Sequence, residues 1–556
     1  MIRLFKQHKI RQVEELEGLW DFYPENSERV YSLSVPGCWE QHPSLVNYRG
    51  SGEYRKKIQV NKETALRLSF KGVSHSAKVY FDGVEVVRHY NAYTAFDAVL
   101  TKVEAGEHEI RVWVDNRFNE ASALHLPNDY YTYGGLIRPV SVEILPEVYI
   151  KKLHFTPSYL QDSPEEVKKW QGKIQLTICN LSKEEKSVGC ACTLGEKHID
   201  LGTIAIRGEE EVHLQWEGDF EGVEAWSHED PKLYELRATI NEMDDVIERV
   251  GFRKVEICGK DILVNGEKVF LKGFNRHEDY AVVGCSLPLQ LMVQDMDLMQ
   301  DLGVNALRTS HYPNDERFLD LCDERGIYVW EENHARGLGV AEMMNPNFDR
   351  QCADCNREMI EEHYNHPSII IWGILNECAS ESEEGRRKYK EQFEQIKSLD
   401  VSRPTTFATC RHFTDISLDL PDIVSYNIYS GWYEDEPVKE RNQREMDWIE
   451  SAGGGGKPMI ISEFGAGGIY GFRDRARSKW SEERQADILK ECLEVYMDEE
   501  RISGVFIWQF ADCRITEEGG WFAGRPRSHN NKGMVDEYRR PKLVYDVVKE
   551  KFRGKA

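Results

Sequence analysis

Two antiparallel β-sandwiches followed by a (β/α)8 TIM barrel is the fold class predicted by this 556-residue sequence. Three observations predict it. The first half alternates apolar and polar residues with period two between Gly, Asp and Asn turns, the pattern of half-buried antiparallel strands. The second half alternates apolar runs with amphipathic segments of helical length, the pattern of a βα repeat. Those apolar runs number eight over roughly 300 residues, the size and count of a closed parallel barrel. The chain also exceeds what one hydrophobic core usually supports, so several domains are required.

In order along the chain, "ALRLSFKGV", "AKVYFDGVEVV", "HEIRVWVDN" and "VSVEILP" supply the first sandwich, residues 1–146. "VYIKKLHFTPSYL", "GKIQLTICNL", "EVHLQWEG" and "LYELRATI" supply a second and smaller one, 147–254. The barrel takes 255–556, with strands at "KVFLKGF", "VNALRTS", "IYVWEEN", "IIIWGIL", "PTTFAT", "IVSYNIY", "PMIISEF" and "GVFIWQF". The run "IIIWGIL" is apolar throughout, as expected of a strand covered on both faces.

Composition narrows the function classes. A net charge of −25, from 96 acidic and 71 basic residues, disfavours nucleic acid or an anionic membrane surface as partner. No apolar stretch approaches the length of a membrane-spanning helix, and "MIRLFKQHKIRQVEELEG" lacks the apolar core of a secretory signal. A cytoplasmic location is expected. Thirteen scattered cysteines read as reduced thiols, and neither Cys190/Cys192 nor Cys352/Cys355 has a second ligand pair at zinc spacing. No metal and no other cofactor is expected.

Barrel active sites lie at the C-terminal ends of the strands, so the polar residues found there matter. Arg308 and His311 follow strand two, and Glu331 and Glu332 end strand three. Asn376 and Glu377 end strand four, Tyr429 and Tyr433 follow strand six, Glu463 ends strand seven, and Trp508 ends strand eight. One acid at a strand end commonly makes an ion pair or caps a helix. Two acids, Glu377 and Glu463, aimed into one mouth are the machinery of glycoside hydrolysis.

"GILNE" with "ISEFGA" resembles the clan of retaining glycosidases whose acid/base follows Asn at strand four and whose nucleophile ends strand seven. "FNRHED", "LRTSHYP" and "NDYYTYGGLIRPV" narrow the resemblance to glycoside hydrolase family 2, with "RHED" similar to its β-glucuronidase branch. The resemblance covers nearly the whole chain. It implies a jelly-roll sugar-binding sandwich, an immunoglobulin-like sandwich and a catalytic barrel, in a homo-oligomer acting on a small-molecule glycoside. By motif, Glu377 is the general acid/base and Glu463 the nucleophile, about 5 to 5.5 Å apart as retention requires. In that arrangement Glu377 is protonated at rest and Glu463 ionised. Asn376 holds the sugar 2-hydroxyl, Tyr429 and Tyr433 form a polar aromatic wall, and Asp129, His311 and Trp508 complete the pocket.

"SHNNKGMVDEYRRPK" resembles the Asn-x-Lys-Gly signature by which β-glucuronidases grip the sugar C6 carboxylate, here through Asn530 and Lys532. "EENHARGLGV" departs from the family, placing His334 and Arg336 where small apolar residues are usual. An Arg336 that enters the pocket could favour an axial 4-hydroxyl, hence galacturonate over glucuronate. The epimer stays open; a neutral-sugar enzyme of the same family, a β-galactosidase or β-mannosidase, is the alternative, and a non-catalytic carbohydrate-binding protein is the least favoured because both carboxylates stand in intact motifs. The segment after strand three is short, which leaves the mouth open unless another element covers it.

Overall fold

The computed structural model describes residues 2–159, 169–517 and 520–554. In the first sandwich a four-stranded antiparallel sheet has the spatial order Gln12–Glu15, Val140–Leu145, Thr64–Phe70, Phe96–Val103. It packs on a six-stranded antiparallel sheet ordered Tyr31–Val35, Gly18–Pro24, Ser51–Val60, Gly106–Asp115, Ser76–Phe81, Val84–Tyr90. Alternation does the work: one face of these strands sends Trp20, Phe22, Tyr54, Leu68, Val79, Val112 and Val142 into a shared core.

The second sandwich pairs Val148–Tyr159, Trp170–Asn180 and Glu211–Phe220 in one sheet. Lys197–Ile206, Lys186–Leu194, Tyr234–Ile240 and Asp244–Val250 form the other. Leu160, the last residue of the strand expected at "VYIKKLHFTPSYL", lies outside the described residues.

At Val255, ahead of the first barrel strand, the chain forms a plug. Val255–Cys258, Asp261–Val264 and Glu267–Lys268 form a small antiparallel sheet. Its Ile262 and Val264 pack with Leu271, Ala306, Tyr328 and Ile370 at the starts of barrel strands. The βα repeat then begins. Eight parallel strands, Leu271–Asn275, Ala306–Arg308, Tyr328–Glu332, Ile369–Ile374, Thr405–Thr409, Ile423–Asn427, Met459–Phe464 and Ile502–Ile507, close into a barrel in which the first pairs with the eighth. Local signals bound the helices: Asp315, Ser382 and Ser481 accept first-turn backbone N–H groups, and Gly303 and Gly326 end helices at φ 82° and 69°.

Ion pairs fix the first sandwich to the barrel mouth. Arg138 pairs with Glu278 (2.8 Å), the Tyr133 hydroxyl donates to Asp279 (2.8 Å), and the Tyr130 ring stacks on His277 at 4.7 Å. The acids of "RHED" therefore hold the sandwich segment that carries Asp129. At the opposite junction the N-terminal segment crosses all three domains. Arg3 pairs with Asp320 and Glu316 of the barrel, and Arg11 with Asp244 and Glu143 of the two sandwiches.

Candidate active site

The mouth of the barrel holds a cavity of about 250 Å³ walled by Asp129, Arg336, Glu377, Tyr429, Tyr433, Glu463, Trp508 and Lys532. A larger cavity, about 810 Å³, lies under residues 2–15 at the domain junction. Among the described residues, five of the acids that line it, Glu143, Glu248, Glu316, Glu361 and Glu362, are each paired with an Arg or Lys, so they offer no free catalytic pair. The chemistry sits at the mouth.

Glu463 ends its strand 2% exposed, with both oxygens engaged. Arg308 Nη1 donates to Oε1 (2.9 Å) and the Tyr429 hydroxyl to Oε2 (2.8 Å). Arg308 is itself held by Asn275 and by both oxygens of Glu332. Burial and the facing Glu377 push the Glu463 carboxyl up to about 7, against the pull of Arg308 and Arg336. This differs from the simple ionised nucleophile implied by the resemblance, because Glu463 lies at the cavity floor whereas the Glu377 side chain keeps 17% of its surface. Burial likewise pushes Glu332 up to about 7, with Arg308 opposing.

Glu377 sits on an irregular backbone. Leu375 and Glu377 take left-handed φ angles of 48° and 53° on either side of Asn376, which costs roughly 1 to 2 kcal/mol per residue. Neighbouring strands hold this turn: Leu375 N–H donates to Asn333, Glu377 N–H to the Ala408 carbonyl, and Gly337 N–H to the Asn376 carbonyl. The Asn427 amide donates to Glu377 Oε1 (2.9 Å), and Arg336 Nη2 lies 3.4 Å from Oε2. A continuous network thus runs from Glu377 through Asn427, Asn376 and Arg308 to Glu463.

Arg336 enters the pocket. Its Nη2 stands 3.4 Å from both Asp129 Oδ1 and Glu377 Oε2, and its Nη1 donates to Asn128. Asp129, 2% exposed, takes Arg525 (2.6 Å) and Asn530 (3.0 Å) on Oδ2. Burial alone would raise its carboxyl, but Arg336, Arg525 and Lys532 bring it down to about 2. Lys532 Nζ donates to the Tyr433 hydroxyl (2.9 Å) and is 1% exposed. Burial, with Arg525 nearby, lowers its pKa.

Three expected site residues are buried against the cavity wall. His311 stacks on Trp508 at 5.0 Å, turns Nδ1 to Glu332 (2.8 Å) and keeps Nε2 3.9 Å from Glu463. Burial and Arg308 hold its pKa well below the usual imidazole value. Asn376 takes Arg308 on Oδ1 (2.8 Å). Asn530 directs one N–H of its amide to the buried Asp129 carboxylate, which fixes the side chain beside Lys532 in the loop. Asn531 instead braces the loop through the Pro526 and His529 carbonyls.

Sequence reasoning missed Asn427, Arg525 and Trp521, which also wall the cavity. Asn427 ends strand six, so the strand-end rule that marked Glu377 applies to it. Arg525 and Trp521 lie in 515–529, where no periodic pattern frames them. Elsewhere, Asp320, Asp323 and His366 bring possible metal-ligand atoms within 4.8 Å. Arg3 occupies Asp320, while His366 and Ser368 N–H occupy Asp323, so the set is an ion-pair cluster.

Comparison with known proteins matches this geometry along the whole chain. "Glycosyl hydrolases family 2, TIM barrel domain" matches residues 255–554, "Glycosyl hydrolases family 2, sugar binding domain" 14–146, and "Glycosyl hydrolases family 2" 148–253. The chain belongs to glycosyl hydrolase family 2. Among family-2 proteins it is similar to a β-galacturonidase of Eisenbergiella tayi whose structure holds galacturonate, at 50% identity and TM-score 0.96 over 100% of both chains. It is similar to a β-D-glucuronidase of Dictyoglomus thermophilum at 25% identity and TM-score 0.83, over 99% and 98% of the two chains. The β-glucuronidase of Sus scrofa is 26% identical over 620 residues, 98% of this chain and 91% of that protein. As a family-2 glycosidase, the protein is a glycoside hydrolase with two sandwich domains ahead of its catalytic barrel.

Proposed function

We propose that the protein is a retaining, exo-acting β-hexuronidase that takes terminal β-D-galacturonides in preference to β-D-glucuronides. The observation that carries the uronide is Lys532. Among the described residues this buried ammonium has one hydrogen bond, to a neutral phenol, and no carboxylate within ion-pair distance. An ammonium removed from water without a counter-ion is strongly disfavoured. A sugar C6 carboxylate supplies the missing charge, and a neutral hexose leaves it unpaired.

The reaction follows from the two acids. Glu463 attacks the anomeric carbon while Glu377 gives its proton to the glycosidic oxygen, so the carbon–oxygen bond breaks and a glycosyl ester forms. Water then gives a proton to Glu377 and its oxygen to the anomeric carbon, releasing Glu463 and a sugar of retained configuration. Arg308 and Tyr429 hold the attacking carboxylate, and Asn376 stands beside both acids to hold the 2-hydroxyl. Arg336 supports the galacturonate preference. Its Nε is buried without a hydrogen bond, and Asp129 Oδ1 has only the 3.4 Å ion pair to Arg336 and no hydrogen bond, a donor and an acceptor suited to one axial hydroxyl, and the half-identical relative is a β-galacturonidase.

The test is a set of initial rates on the 4-nitrophenyl β-D-galacturonide, β-D-glucuronide and β-D-galactoside. Both uronides should exceed the galactoside by roughly a hundredfold or more, with the galacturonide ahead of the glucuronide. A faster galactoside overturns the uronide reading, and a faster glucuronide overturns the epimer.

A further inference from the structure

One tryptophan stands apart from the rest. Trp521 is 63% exposed and forms part of the cavity wall, whereas the other described tryptophans are buried or half-buried. It opens a short turn, Trp521–Gly524, anchored by the buried Phe522 ring 5.8 Å away. The guanidinium carbons of Arg525 and Arg336 lie 5.0 and 5.8 Å from its ring centroid. Both arginines are held by the two oxygens of Asp129, so the indole is braced from the pocket side. Arg336 also contacts Glu377, the acid whose proton goes to the departing oxygen.

These contacts set the indole on the cavity rim beside Arg336, which reaches both Asp129 and the acid Glu377. We propose that Trp521 is the platform of the leaving-group subsite, stacking a ring-shaped aglycone, an aryl group or the apolar face of a second sugar. An indole face offers dispersion and quadrupole contact to such a ring and little to a small branched alkyl group. The segment after strand three is short, and the turn after strand eight supplies the rim that it lacks. The proposal rests on Glu377 being the acid of a glycosidase centre. It does not depend on which glycone the centre prefers.

The test holds the glycone constant and varies what leaves. Trp521→Ala and Trp521→Phe are compared with the unaltered protein on three substrates of one sugar: the phenyl glycoside, the hexafluoroisopropyl glycoside, whose alcohol is similarly acidic, and a disaccharide. Trp521→Ala should lose about fivefold to tenfold in kcat/KM on the phenyl glycoside, the disaccharide or both, mainly through KM, and less than about twofold on the hexafluoroisopropyl glycoside. The ring class that suffers more names the aglycone. Trp521→Phe should recover most of the loss, and inhibition by the free sugar should be unchanged. Equal losses on all three substrates, or none on any, overturn the proposal; the second result also fits an indole covered by another copy of the chain. If the glycone reading is wrong, the ratio between leaving groups on the preferred glycone still decides.

Discussion

On one side of the pocket Glu377, Asn376, Asn427 and Glu463 leave the ends of barrel strands, tied to one another through Arg308. On the other side Asp129 comes from the first sandwich, and Arg525 and Lys532 from the segment after the last strand. The strand-borne side is joined by one continuous hydrogen-bond network. The loop-borne side gathers three cations, Arg336, Arg525 and Lys532, around one acid. Bond cleavage tolerates little displacement, so its groups sit on the stiffest part of the fold. Discrimination between sugars depends on what the loops bring to that fixed point, which is how a barrel changes substrate without changing its chemistry.

Substitutions can separate the two sides. Glu463→Gln should lower kcat by about a thousandfold or more on every glycoside tested, while calorimetric titration still detects binding of the free uronic acid. Ordinary turnover in that variant would remove Glu463 from the nucleophile role. Lys532→Ala should act on the other side alone, costing uronides roughly a hundredfold in kcat/KM and the neutral galactoside no more than about threefold. Equal losses would show that Lys532 supports the pocket without reading the carboxylate.

Tyr429→Phe should produce the smallest effect. Glu463 attacks as the anion, so activity is lost as pH falls through its midpoint near 7. The Tyr429 hydroxyl donates to that anion, and removing the donor raises the midpoint. The acid limb of the kcat/KM profile should therefore move to higher pH, by about half to one unit. A limb that stays in place would show that the arginines, and not Tyr429, set the charge. Glu377 shares the site, so the profile reports the pair of carboxyls.

How much of this was legible follows the same division. Glu377 and Glu463 could be found because each is an acid at the end of an apolar strand, and strand ends converge in a closed barrel. The motif around Lys532 was legible through family resemblance, but the partner of Asn530 was not. Its amide goes to Asp129, about 400 residues away in sequence, a pairing that no local pattern encodes. Arg525 and Trp521 escaped notice because 515–529 has no hydrophobic period, and only periodic segments announce their orientation.

By itself the sequence determined the order of domains, the eight strands and the residue types at their ends. Those depend on local alternation, capping and the burial of apolar faces, all of which act within a few residues along the chain. The tertiary structure decided what those residue types become. It bends Leu375 and Glu377 into left-handed backbone that neither side chain favours, because Asn333, Gly337 and Ala408 supply the compensating hydrogen bonds. It carries Arg336 inward between Asp129 and Glu377, and it lifts Glu463 toward neutrality by excluding water from the cavity floor. Charge, strain and proton affinity depend on neighbours in space, and those neighbours come from the first sandwich and the barrel, which only the folded chain brings together.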